Sequence, residues 1–144
     1  MTKALERATA ADISGIVALL AQHHLPVDGV HDRLATTLVA RHAATIVGTA
    51  ALELFLDGAL MRSVAVAPAF RGSGLGQRLT NAILGLAANQ HVPAVYLLTT
   101  TADRYFPRFG FTRIVREDVP PMVRASVEFT SSCPSTATVM RKAL

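Results

Sequence analysis

Ser63-Val64-Ala65-Val66-Ala67-Pro68-Ala69-Phe70-Arg71-Gly72-Ser73-Gly74-Leu75-Gly76-Gln77-Arg78-Leu79 is the stretch that decides the fold. Its apolar start reads as the end of a buried strand, and Pro68 stops that strand. A glycine-rich turn follows, then a helix whose apolar stripe is Leu75, Leu79, Ala82, Ile83 and Leu86. Glycines let the backbone take positive φ and come close to a ligand. The helix start adds unpaired N–H groups and a partial positive charge, and Arg71 adds a full one. Arg71, Gly72, Ser73, Gly74, Leu75, Gly76 and Gln77 therefore predict a phosphate site. Two other phosphate loops are excluded. The Walker pattern needs Lys and then Ser or Thr after its last glycine, where this chain has Gln77. Gln77 also stands where the dinucleotide fingerprint G-x-G-x-x-G needs its third glycine. A plain glycine-rich connection is the competing structural reading.

Working outward, residues 5–8 read as a short first strand. Thr9 and Asp12 resemble a capping box before the helical stripe Ile13, Ile16, Val17 and Leu20. His23-His24-Leu25-Pro26 ends that helix. Residues 27–36 predict a short second helix, and residues 38–41 and 45–55 predict strands turning at His42-Ala43-Ala44. Asp57-Gly58 is a hairpin signal leading into a strand over 59–66. The continuous apolar run 94–98 predicts a central strand buried on both faces. Residues 102–109 predict a helix ended by Gly110, and residues 137–140 a last strand. The order predicts a mixed-sheet α/β domain over residues 1–144, with no internal boundary or repeat.

Composition narrows the function. The chain is 51% hydrophobic and 17% charged, as expected of a globular domain. Its apolar runs are short and broken, so no membrane span is expected. Residues 1–7 carry charge without an apolar core, so no secretory signal is predicted. Cys133 is the single cysteine and cannot form an internal disulfide, which predicts a cytoplasmic protein. The net charge of +4 is spread along the chain. That pattern suits an anionic small ligand better than a nucleic acid, which would call for a basic stripe with interleaved aromatics. His23, His24, His31, His42 and His91 show no metal-ligand spacing and read as loop and surface residues, so no metal is expected.

Arg71-x-x-Gly74-x-Gly76 after a strand ending in Val66-Ala67-Pro68 resembles motif A of the GNAT family of N-acetyltransferases. Thr99-x-x-Ala102-x-x-x-Phe106-x-x-x-Gly110-Phe111 resembles the family's segment Asn-x-x-Ala-x-x-x-Tyr-x-x-x-Gly-Phe. The resemblance implies a mixed, mostly antiparallel α/β (α+β) sheet flanked by helices. It implies acetyl-CoA as co-substrate, with its pyrophosphate on the glycine turn and its pantetheine arm along Val64, Ala65 and Val66. Thr99 and Phe106 fall on family cofactor-binding positions. The segments around Arg62-Ser63-Val64, Leu98-Thr99-Thr100, Glu128-Phe129 and Cys133-Pro134 also resemble an acetyltransferase subfamily found with arsenic-resistance genes. That group in turn resembles the acetyltransferase domain of N-acetylglutamate synthases. Both point to the α-amino group of an amino acid or analogue as acceptor. A protein or peptide acceptor, or a catalytically weak acyl-CoA sensor, are the alternatives, and the resemblance leaves room for a homodimer.

The family often takes its base from a glutamate on the central strands. Glu53 is the first choice here, because a carboxylate in an apolar strand is costly unless paired or solvated in a cleft. A solvent-facing strand residue is the alternative, and Glu128 is the second choice. The family's general acid is the tyrosine four residues before Gly-Phe, and this chain has Phe106 there. Tyr105 is turned by about 100° on a helix, so Tyr96 on the central strand is the catalytic candidate, and departure of the coenzyme A thiolate without a dedicated acid is the alternative. Arg62, just before the cofactor strand, could hold an acceptor carboxylate or pair with a structural one. Arg113, Arg116 and Arg124 are later options.

Overall fold

The computed structural model describes residues 4–126, 129 and 135–144. Seven strands form one sheet: β1 (Leu5–Arg7), β2 (Thr37–His42), β3 (Thr45–Phe55), β4 (Gly58–Val66), β5 (Ala94–Thr99), β6 (Thr112–Ile114) and β7 (Thr138–Ala143). Their order is β1-β2-β3-β4-β5-β7-β6, and only β4 against β5 is parallel. Among the described residues three α-helices flank the sheet: α1 (Ile13–Gln22), α2 (Leu75–Asn89) and the one-turn α3 (Pro121–Arg124). This is the mixed, mostly antiparallel α/β arrangement expected. No helix among the described residues is long and apolar enough to cross a membrane.

Successive strand residues face opposite sides, so the alternation divides the core. Ala40, Val47, Ala59 and Met61 pack with Leu75, Leu79 and Ile83 of α2. Val39, Ile46 and Ala65 pack with Ile16, Leu19 and Leu20 of α1. Leu60, Tyr96 and Val139 pack with Val119, Val123 and Phe129. The helix α2 therefore covers one face, and α1 covers the other. Gly48 lets α2 approach closely, since a Cβ there would lie 3.0 Å from both Leu75 Cδ2 and Leu79 Cδ1.

The α1 start is fixed by charge. The Thr9 N–H donates to Asp12 Oδ2 at 2.8 Å, and Arg41 Nη1 donates to Asp12 Oδ1 at 2.5 Å. Asp12 is 5% exposed. The Arg41 hydrogen bonds, helped by the Thr9 N–H, lower its carboxyl to about 2 from an ordinary 3.8.

Two expectations change. The helix expected over 102–109 shrinks to a 3-10 turn, Phe106–Phe109. Pro107 has no N–H and is accommodated only in a first turn, so an α-helix cannot run through it. Its end is as expected, with Gly110 at φ +94. The edge strand β6 was not anticipated. It is three residues long and mostly exposed, which leaves no apolar alternation to read.

Removing the Asp12 charge should destabilise the fold in a pH-dependent way. Because the folded pKa is depressed, its contribution is present above about pH 4 and is lost as pH falls toward 2. Asp12→Asn should cost about 1–3 kcal/mol at pH 7. Urea unfolding of both proteins should show that difference shrinking below pH 4.

Candidate functional site

The glycine turn joins β4 to α2 through a 3-10 turn at Pro68–Phe70. Gly72 and Gly74 have φ of +79 and +83, and Gly74 is the N-cap of α2. Only glycine adopts these angles without strain. A Cβ on either would meet nothing within 4 Å, so the conformation, not crowding, requires glycine. The Ser73 hydroxyl donates to the Phe70 carbonyl at 2.5 Å and so braces the turn from within. A cavity of about 550 Å³ opens here, lined by Arg71, Gly72, Gly74, Leu75, Gly76 and Gln77 with Val64, Ala65 and Val66. The α2 N-terminus and Arg71 make it suited to an anion.

A gap extends from this cavity along β4. β4 and β5 pair only at Ala59–Val95 and Leu60–Tyr96, although both strands run on. The cause is a bulge in β4. Register against β3 shifts between Thr49 and Ala51, and Ser63 sits at φ +58. The Ala67 N–H donates to the Val47 carbonyl at 2.8 Å, on the β3 side. By alternation, the Val64 and Val66 backbone groups turn toward the gap. A cavity of about 230 Å³ occupies the gap between Arg62, Ser63 and Val64 on one side and Leu97, Leu98 and Thr99 on the other. Phe106 also lines it. The Thr99 hydroxyl accepts the Ala102 N–H at 2.8 Å, which shapes the loop leaving β5.

A third cavity, about 400 Å³, lies beside β3 and is lined by Glu53, Arg62, Asp28, Asp32 and Arg33 among others. Arg62 borders this cavity and the gap alike. Its side chain is 1% exposed, and its Nη1 donates to Glu53 Oε1 at 2.7 Å. Asp28 Oδ2 lies 3.5 Å from its Nη2. The Ser126 hydroxyl donates to the same Glu53 oxygen at 2.9 Å. Glu53 is 24% exposed, so it is both paired and open to the cavity.

An acetyltransferase (GNAT) domain model matches residues 33–113, more than half of the chain. The chain belongs to the GNAT acetyltransferase family. It is 30% identical over 125 residues to an amino-acid acetyltransferase of Aeromonas salmonicida, covering 78% of this chain and 28% of that protein. An amino-acid acetyltransferase of Mycobacterium tuberculosis is 37% identical over 70 residues, or 48% of this chain and 40% of the relative. The matched segments thus cover less than half the length of either relative. In fold it matches Rv2747 of Mycobacterium tuberculosis, solved in complex with CoA and NLQ. That match has a TM-score of 0.83 and 24% identity, covering 98% of this chain and 99% of that one.

For a GNAT chain, the sequence-predicted residues fall into three groups. Val64, Ala65, Val66, Arg71, Gly72, Gly74, Leu75, Gly76 and Gln77 meet at the glycine turn, while Thr99 and Phe106 meet Val64 across the gap. Glu53 and Arg62 meet each other. Tyr96 joins none of them. It is buried on the face toward Val119, Val123 and Phe129, and its hydroxyl accepts from Arg141 Nε at 3.3 Å. It lines neither the gap nor the cavities at the glycine turn and beside β3. Glu128 and Cys133 lie outside the described residues.

Several site residues escaped sequence reading. His23, expected on the surface, has its ring nitrogens 2.9 Å from the Leu19 and Val66 carbonyl oxygens. It ties the end of α1 to β4. Asp28 and Ser126 reach Glu53 and Arg62 from distant segments that no local spacing links. Tyr105 and Arg108 line the cavity at the glycine turn.

Gly74→Val should leave the core intact, since a Cβ at that position meets nothing within 4 Å. It should weaken acetyl-CoA binding at least about tenfold, because a β-branched residue resists φ near +83. Calorimetric titration of the folded variant checks this, and unchanged affinity would mean the turn is a connection only.

Proposed function

We propose that this chain is an acetyl-CoA-dependent N-acetyltransferase acting on a small amine, the α-amino group of an amino acid or amino-acid analogue. The observation that carries this is the placement of Glu53 and Arg62. A paired carboxylate and guanidinium stand between the gap and an open polar cavity. An amino acid brings an ammonium and a carboxylate, and such a pair complements both. The amino-acid acetyltransferases among the relatives support the same acceptor class.

The residues present fit acetyl-CoA, which supplies the acetyl group as a thioester. The α2 N-terminus and Arg71 would hold the pyrophosphate. Val64 and the Val66 N–H would offer strand-like backbone groups to the pantetheine arm, the Val66 carbonyl being held by His23, and the gap beside them is walled by Thr99 and Phe106. A backbone N–H in the gap would donate to the thioester carbonyl oxygen, where negative charge grows. Glu53 takes a proton from the acceptor ammonium, directly or through water, so that a neutral amine attacks. The Arg62 and Ser126 bonds both fall on Glu53 Oε1, leaving Oε2 for that proton. Arg62 also offers its charge to the acceptor carboxylate. Phe106 carries no proton, and neither tyrosine lines the gap, so the thiolate leaves without a tyrosine acid there.

A thiol-release screen against the amino acids and amino-acid-like herbicides and arsenicals tests the reading. Release that depends on an amino acid is expected. Binding without release would make the chain an acyl-CoA sensor, and release only with peptides would move the acceptor class. Glu53→Gln should lower kcat/KM about a hundredfold near neutral pH and less at high pH, where more amine is already neutral. A pH–rate profile showing equal loss at every pH would give Glu53 a positioning role instead. Arg62→Ala should raise the acceptor KM by about tenfold or more while leaving acetyl-CoA affinity unchanged, which steady-state kinetics and titration separate.

A further inference from the structure

His23 stands where α1 ends, as its C-cap residue, and lies half-buried on the wall of the gap. Both ring nitrogens lie 2.9 Å from carbonyl oxygens, Nδ1 from Leu19 one turn back and Nε2 from Val66 on β4. A carbonyl oxygen only accepts, so the ring meets both partners only when each nitrogen carries a proton. A neutral ring carries one proton, and one of the two bonds is then lost whichever tautomer forms. Losing the first frees the ring from α1, and losing the second frees the Val66 carbonyl. The tie between helix and strand is therefore complete only in the imidazolium form. The last carbonyls of α1 present the negative end of the helix dipole to the ring, which favours that form. Among the described residues, His24 and Arg62 are the other titratable or charged groups lining the gap. His24 is exposed on the same turn, and the Arg62 charge, from β4, is met by Glu53 and Asp28.

We propose that protonated His23 is a positioning residue for the donor arm. By holding the Val66 carbonyl it fixes the end of β4 and leaves Val64 and the Val66 N–H as the edge with which the arm pairs. The proposal rests on the acetyl-CoA reading above and makes donor binding depend on a proton carried by α1. An added strand takes its register from the main-chain groups left free on the edge it joins. With the Val66 carbonyl occupied, pairing one step closer to the glycine turn lacks an acceptor. A slip of two residues along β4 would displace the acetyl group by about 6–7 Å.

CoA titration at a series of pH values on wild type, His23→Gln and His23→Leu tests this. Glutamine can donate to a carbonyl at every pH, whereas leucine fills space and donates nothing. Across the interval where imidazoles titrate, about pH 5 to 8, wild type should lose CoA affinity about tenfold relative to His23→Gln. Using that ratio cancels changes that belong to the ligand's phosphates and the rest of the site. His23→Leu should bind CoA about tenfold more weakly than wild type at the acid end. Its KM for acetyl-CoA should rise while the acceptor KM stays unchanged. A ratio of wild type to His23→Gln that is constant with pH overturns the proposal. So does a folded His23→Leu that binds CoA as wild type does, even with a lower melting temperature, since His23 would then be a fold tie only. If His23→Leu does not fold, the His23→Gln ratio decides alone. Wild type that binds no CoA at any pH overturns the acetyl-CoA reading itself, a different result from intact binding with a flat ratio.

Discussion

β4 and β5 are hydrogen-bonded over two residue pairs and then part, and the site is organised around the wedge they leave. A parallel pair of this kind would normally continue, because each unmet backbone group in a core costs free energy. Here the bulge at Ser63 turns β4 aside while both strands stay anchored on their far edges, β4 to β3 and β5 to β7. The sheet is therefore anchored on both sides of an opening whose two strand edges do not pair with each other. An extended ligand arm can enter as a strand would, with main-chain bonds giving affinity. The glycine turn lies at the end of β4, so the same strand that opens the wedge also delivers the anion site.

Charge is distributed in keeping with that geometry. Helix dipole, Arg71 and Arg108 gather at the glycine-turn end. At the other end Arg62 is buried, where an uncompensated charge would be expensive, and the carboxylates of Glu53 and Asp28 compensate it. Breaking that group would leave a buried ion alone, so its residues are constrained by stability and by chemistry together. His23 adds a tie between α1 and the Val66 carbonyl, on the edge that faces the wedge.

The legible part of the site was the local part. The glycine turn could be read because its spacing, its preceding strand and its following helix are contiguous. The β3 and β5 strands could be read because their apolar runs are long. What sequence could not supply was pairing between distant segments. Arg62 stood between two roles, an acceptor contact and a structural ion pair, and the fold pairs it with Glu53 while leaving it on the cavity wall. Asp28 and Ser126 carry no signal of their own, since each acquires its partner only when the sheet forms. Tyr96 looked available on a central strand, but which face it takes depends on register, and register turned it toward Val119 and Val123. The helix expected before Gly110 followed the motif and overlooked Pro107, whose missing N–H limits the segment to a single turn.

The central claim is that the wedge receives the acetyl donor along β4. Amide resonances followed by nuclear magnetic resonance during CoA titration address it residue by residue. The account predicts saturable shifts and slowed hydrogen exchange at Val64, Val66 and the first turn of α2, with β1 and β2 unaffected. Saturable binding that leaves Val64 and Val66 unperturbed would contradict it.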